Sequence, residues 1–147
     1  MTALSGRCMC GATTWTATTQ IIWAAICHCE DCRKAASCDH VSWFGLERFA
    51  VNWKGPRKCF KSSELVVRSF CQDCGSPMSF ETEIFESETH LYAATLNDRT
   101  SYKPSAHIYW SERLPWIEIS DSLPKHSKGL QHAAKNDQEI LSRKSKP

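Results

Sequence analysis

The chain has 147 residues, 41% hydrophobic and 23% charged, the length and composition of one ordinary globular domain that buries about two-thirds of its unfolded surface. It holds no apolar run of about 18 residues, so no membrane-spanning helix is written in it. The net charge of +2 divides unevenly: residues 1–124 carry 12 basic and 14 acidic side chains and residues 125–147 carry 6 and 2, which argues against a large nucleic-acid surface on the body.

Short β-like runs follow one another from the N-terminus. Residues 1–6 show no basic stretch leading into an apolar one, so the expected compartment is the cytoplasm. Strands are predicted over Ala12–Thr19, Ile21–Ile26, His40–Phe44 and Ala50–Trp53, the last two around Gly45 and before the Gly55-Pro56 turn. Leu65–Phe70, Pro77–Glu83, His90–Ala94, Ala106–Trp110 and Trp116–Ile119 complete the set. Helical periodicity is weak; one short helical turn is expected over Cys29–Ala36 and another turn over Thr95–Tyr102. From Lys125 the chain is polar and free of aromatics, which predicts a domain over 1–124 and a basic tail over 125–147, with a loose helix at Leu130–Ser142. The fold class expected is mainly β, with little helix.

Nine cysteines stand out, at 8, 10, 27, 29, 32, 38, 59, 71 and 74. In a reducing compartment such density points to metal ligands or catalytic thiols. Seven fall into three clusters: Cys8-x-Cys10 before Gly11, Cys27-x-Cys29-x-x-Cys32, and Cys71-x-x-Cys74 before Gly75. A tetrahedral zinc–thiolate site places its sulfurs about 3.8 Å apart. Cys-x-x-Cys turns and bent Cys-x-Cys strands both bring sulfurs that close, and Gly75 suits the positive φ such a turn demands. Cys8, Cys10, Cys71 and Cys74 make four ligands, a closed structural site. Cys27, Cys29 and Cys32 make three, which leaves one position open, the mark of a catalytic centre. Other readings remain: disulfides, a redox Cys-x-x-Cys, iron in the four-cysteine set, or two structural zincs with the second completed by Cys38 or a histidine. Cys38 and Cys59 are expected to be small buried hydrophobes.

The clusters resemble those of the glutathione-dependent formaldehyde-activating enzymes, also called S-(hydroxymethyl)glutathione synthases. The likeness lies in Gly6-Arg7-Cys8-Met9-Cys10-Gly11, in Cys27-His28-Cys29-x-x-Cys32-Arg33-Lys34 and in Phe70-Cys71-x-x-Cys74-Gly75, and extends to His107-Ile108 and Leu114-Pro115-Trp116, about residues 4–124. The resemblance implies an Mss4-like assembly of small antiparallel sheets around two Zn2+ ions per chain. One zinc is structural, on Cys8, Cys10, Cys71 and Cys74; the other is catalytic, on Cys27, Cys29 and Cys32. The chain departs from the family after the middle cluster, where it reads Ala35-Ala36-Ser37-Cys38-Asp39-His40.

Three thiolates around a divalent zinc leave one net negative charge, which suits retention of a fourth thiolate better than polarisation of a carbonyl. The expected reaction is therefore of carbon–sulfur lyase type. A small thiol, glutathione by resemblance, joins formaldehyde or a related aldehyde, with Cys27, Cys29 and Cys32 as the catalytic set. His28 is a candidate proton shuttle to the new alkoxide, or a solvent-facing side chain on the ligand loop. Arg33 and Lys34 are candidates to hold the carboxylates of glutathione, or are ordinary solvated charges. Asn97, Asp98 and Arg99 read as a surface turn, and His107 as a buried, hydrogen-bonded histidine rather than a ligand. The second reading is a non-catalytic zinc-binding module whose tail contacts nucleic acid or a protein partner; it predicts salt-sensitive binding that disappears with Lys125–Pro147. The sequence leaves the oligomeric state open.

Overall fold

The computed structural model describes residues 3–130. Its strands are β1 (Ala3–Arg7), β2 (Thr14–Thr18), β3 (Trp23–Cys27), β4 (Val41–Glu47), β5 (Val51–Lys54), β6 (Arg57–Ser63), β7 (Val66–Cys71), β8 (Pro77–Thr82), β9 (Glu88–Tyr92) and β10 (His107–Ile108), with one α-helix among the described residues, α1 (Glu30–Ala36). The protein is mainly β, as its short runs of β-branched and aromatic residues predict. The described residues divide into two compact units, 3–25 with 42–104, and 26–41 with 105–130.

In the first unit, β1, β2 and β5 form an antiparallel sheet in the order β1-β2-β5. A second run of strands follows the order β3-β4-β9-β8-β7-β6, and its β4–β9, β9–β8, β8–β7 and β7–β6 pairs are antiparallel. Side chains of alternate residues enter one core: Leu4 from β1, Trp15 and Ala17 from β2, Phe44 and Leu46 from β4, Met78 from β8 and Leu91 from β9. Trp15 is buried and donates its indole N–H to the hydroxyl of Thr95 at 3.1 Å, so the core's largest side chain is also satisfied as a donor. Cys8 and Cys71 belong to the same buried cluster, which roots the thiols in the core.

The second unit is built around β10. Its two residues pair in parallel with the last two of β3, His107 with Ile26 and Ile108 with Cys27. On the other edge, His107 N–H donates to the Pro124 carbonyl at 2.8 Å and His126 N–H donates to the His107 carbonyl at 2.9 Å. Helix α1 starts at Cys29, whose sulfur accepts the Cys32 N–H, carries Glu30 and Asp31 in its first turn, and ends at Ser37 in the left-handed region.

Two strands escape the sequence pattern. β1 is Ala-Leu-Ser-Gly-Arg, poor in strand formers, and is held by its hairpin partner β2. β6 is an edge strand with almost every side chain exposed, so it shows no alternation. Conversely, Trp116–Ile119 alternates like a strand but forms none; Trp116 is exposed and its indole N–H meets Asp39 at 3.3 Å. The run over Ala106–Trp110 shortens to β10. Residues 125–128, at the start of the stretch read as a tail, are paired with the segment after His107: Tyr109 N–H donates to the Lys128 carbonyl and Trp110 N–H to the His126 carbonyl. The helix expected at 130–142 lies, beyond Leu130, outside the described residues. No helix among the described residues is long and apolar enough to cross a membrane.

Candidate metal centres

Two hairpin tips of the first unit hold four sulfurs. The β1–β2 tip spans residues 8–13 and is closed by Cys8 N–H to the Thr13 carbonyl at 2.9 Å. The β7–β8 tip is closed by Cys71 N–H to the Ser76 carbonyl and Gly75 N–H to the Cys71 carbonyl, at 2.9 and 2.8 Å. Each tip has a glycine at positive φ, Gly11 at 81° and Gly75 at 76°, a region other residues enter only under strain. The sulfur atoms of Cys8, Cys10, Cys71 and Cys74 all lie within 4.8 Å of one another, with Cys8–Cys10 at 3.5 Å and Cys10–Cys71 at 3.9 Å.

Neighbouring polar groups favour thiolate at this cluster. Thr13 N–H points at the Cys8 sulfur, at 3.3 Å. The Ser76 hydroxyl accepts the Met9 N–H at 3.1 Å and lies 3.1 Å from the Cys74 sulfur, joining the two tips. That hydroxyl, with backbone amides behind it, holds the Cys74 thiol down to about 5. The Thr13 hydroxyl and nearby amides lower Cys71 as well. For Cys10 the Ala12 amide favours the thiolate, yet the Cys8 thiol, burial, Cys74 and Cys71 together push it up to about 12. Packed sulfurs cannot all ionise against one another, and a divalent cation among them removes that conflict; the donor set suits a soft or borderline metal.

The second unit holds the other three. The sulfurs of Cys27, Cys29 and Cys32 lie within 4.8 Å of one another, with Cys27–Cys32 at 3.7 Å. Cys27 ends β3, Cys29 caps α1 and Cys32 sits in its first turn, so strand end and helix start fold the three together. Cys29, Cys32 and burial push Cys27 well above its ordinary value. For Cys29 the Cys27 thiol favours the thiolate, but Cys32 and burial raise it to about 11. The conflict of the first cluster is repeated with one sulfur fewer.

The side chains around the three-cysteine loop differ from the solvent-facing picture. His28 is fully buried; burial, then His107 and His40, hold its imidazole down to about 4, so it is neutral near pH 7. Its ring lies edge-on to Trp110 at 4.9 Å and stacks with His40 at 5.4 Å. Arg33 donates Nε to the His28 carbonyl at 3.0 Å and Nη2 to the Glu112 carbonyl at 3.2 Å, bracing the loop. Lys34 pairs with Glu30 at 3.4 Å in solvent. His107 is buried and hydrogen-bonded, to His28 and to Asp121. Asn97 and Asp98 belong to an exposed turn closed by Thr100 and Ser5.

Cys38 and Cys59 are exposed, not buried as small hydrophobes; Cys38 donates to the His40 carbonyl at 3.0 Å and stands outside the three-sulfur group, and Cys59 is on edge strand β6. All nine cysteines are free, so no disulfide is formed. Ser76, Thr13, His40 and Asp121 were not foreseen as site residues. Ser76 follows Cys74 by two positions and Thr13 follows Cys10 by three, a hydroxyl beside each ligand pair that the sequence does show. His40 and Asp121 have no local signal.

Comparison with known proteins gives a consistent picture. The family model described as glutathione-dependent formaldehyde-activating enzyme matches residues 3–112. Among solved structures, a crystal structure of a Rhodobacter sphaeroides protein is similar in fold, with a TM-score of 0.54 at 15% identity over 83% of this chain and 98% of that one. No curated protein matches the chain.

Proposed function

The chain belongs to the glutathione-dependent formaldehyde-activating enzyme family, and from that membership we propose that it is a carbon–sulfur lyase that joins glutathione to formaldehyde or a related aldehyde. The observation that carries this reading is the unequal pair of clusters, four sulfurs in one and three in the other. Cys8, Cys10, Cys71 and Cys74 would hold a structural zinc. Cys27, Cys29 and Cys32 would hold a second, catalytic one, with one tetrahedral position not taken by the chain. Zinc bound there supplies a seat in which a thiol loses its proton and stays nucleophilic.

The chain's own residues do the rest. Cys29 and Cys32 are set by the first turn of α1, and the Arg33 brace fixes the loop they stand on. Trp110 and His40 pack on the His28 ring beside the loop. His28, neutral and enclosed, is our candidate to accept a hydrogen bond from the reacting ligand. Arg33 remains the candidate for a glutathione carboxylate, through donors not used on the two carbonyls. In the reaction the sulfur bonds to the carbonyl carbon and the π electrons move to oxygen. That oxygen takes up the proton given by the thiol, so no redox partner is needed. The abundance of free thiols suits a reducing compartment, and we place the protein in the cytoplasm.

The test combines elemental analysis with NMR exchange spectroscopy of glutathione and formaldehyde. Roughly two zinc ions per chain are expected, with adduct formation accelerated by the wild type. Cys32→Ser is expected to abolish the acceleration while the four-cysteine site keeps its metal. A Cys32→Ser protein with full metal content and full activity overturns the assignment.

A further inference from the structure

A row of hydrogen bonds leads from the three-cysteine loop to the surface of its unit. Nε2 of His28 lies 2.9 Å from Nδ1 of His107, and Nε2 of His107 lies 2.7 Å from Oδ2 of Asp121. Both imidazoles are fully buried, while 35% of the Asp121 side chain is exposed. The other carboxylate oxygen of Asp121 accepts the Leu123 N–H at 3.1 Å and lies 3.7 Å from the Lys125 ammonium, which fixes the carboxylate's orientation. The His28 main chain is fixed too, by its N–H to the Ile108 carbonyl and by Arg33 on its own carbonyl. Nδ1 of His28 is buried and has no hydrogen-bond partner.

Chemistry orders the protons along this row. An ionised carboxylate only accepts, so Nε2 of His107 carries a hydrogen. A His107 ring that carries this one hydrogen has a lone pair at Nδ1, which accepts, so Nε2 of His28 donates. Nδ1 of His28 is left as a lone pair, sealed from water and lacking a donor. A buried acceptor without a donor destabilises the fold, and a ligand that brings a donor relieves it.

We propose that Asp121 and His107 are positioning residues that lock His28 in its Nε2–H tautomer, holding Nδ1 as the hydrogen-bond acceptor for a donor on the ligand of the Cys27, Cys29 and Cys32 cluster. Under the function proposed above, that donor is the hydroxyl of the hydroxymethyl thioether. The identity of the donor rests on that reading; the tautomer lock rests only on the row itself.

Long-range nitrogen–proton NMR of the histidine rings, on the full-length metal-loaded protein, reads the tautomers directly, with His28→Gln and His107→Gln as assignment standards. The wild type is expected to show hydrogen on Nε2 and none on Nδ1 in both rings. In Asp121→Asn the amide oxygen keeps the Leu123 N–H and the amide nitrogen donates to His107, so both rings are expected to reverse, as an amide in place of an orienting carboxylate does elsewhere. The kcat/KM for adduct formation is expected to fall roughly 10- to 100-fold, mostly in kcat, with metal content unchanged and recovery in Asp121→Glu. His28 protonated on Nδ1 in the wild type overturns the lock, and that spectrum suffices should Asp121→Asn not fold. An unreversed His28 in Asp121→Asn also overturns it. A reversed His28 with wild-type kcat overturns the acceptor role of Nδ1. A wild type that shows the lock but forms no adduct sinks the proposed reaction and leaves the lock standing.

Discussion

Single side chains set the chemistry of this protein through what encloses them. Tyr102 is an example away from the metal centres. Its hydroxyl donates to the Ala25 carbonyl at 2.9 Å, and burial pushes its phenol up to about 12, with a smaller opposing pull from Ser42. An unfolded tyrosine ionises near 10, so above that pH the unfolded chain releases a proton that the folded chain keeps. The stability Tyr102 contributes is therefore complete below about pH 10 and is lost as pH rises toward about 12. Tyr102→Phe is expected to lose about 1 kcal/mol at neutral pH with its hydrogen bond. It should also show a shallower loss between about pH 10 and 12 in urea unfolding. An alkaline limb identical to the wild type's would show that another group governs it.

At the scale of elements, the four-cysteine centre depends on two hairpin tips meeting, and one hydroxyl joins them. Ser76 takes the Met9 N–H from the first tip and faces the Cys74 sulfur on its own. Ser76→Ala is expected to weaken metal retention at this centre roughly 10- to 100-fold, measured by competition with a colorimetric zinc chelator. Unchanged retention would mean that the tips are held by metal and core alone. The tips were legible in the sequence because their ligands are short-range pairs followed by glycine, and backbone geometry demands both. The same holds for Cys27, Cys29 and Cys32. The partners of His28 were not legible, since His107 and Asp121 reach it only through the pairing of β10 with the end of β3. Strand β6 was hidden for a different reason: an edge exposed on both faces needs no apolar alternation. Trp116–Ile119 misled because alternation signals a strand only where a partner strand stands beside it.

For the whole molecule, the pairing beside β10 gives residues 125–128 a part in the fold that truncation can measure. Truncation after Pro124 removes the bonds from Tyr109 to Lys128, from Trp110 to His126 and from His126 to His107. It also removes the Lys125 ammonium, which lies 5.3 Å over the Trp110 ring and pairs with Asp121. Truncation after Leu130 keeps all of these. The shorter chain is expected to be less stable than the longer by about 3 kcal/mol, at about 1 kcal/mol per backbone hydrogen bond, in urea or thermal unfolding. Equal stability of the two would show that residues 125–130 contribute nothing to the fold. A basic tail that serves only as a binding arm predicts that equality.

Both centres draw on distant parts of the chain, and this gives the newborn protein a history. Cys10 and Cys71 are 61 residues apart, and His28 and His107 are 79 apart. A ribosome adding about 5–20 residues each second takes roughly 4–16 s to cover the longer gap. Through that interval the thiols of residues 27–32 have left the synthesis site without the histidine that will later bury beside them. The order of maturation is thereby written in gene order: the three-sulfur loop has its last ligand at residue 32 and the four-sulfur centre at residue 74, and the loop receives its histidine and aromatic surroundings only with residues 107 and 110. Oxidants or competing metals present in the cell meet the two centres at different ages of the same chain.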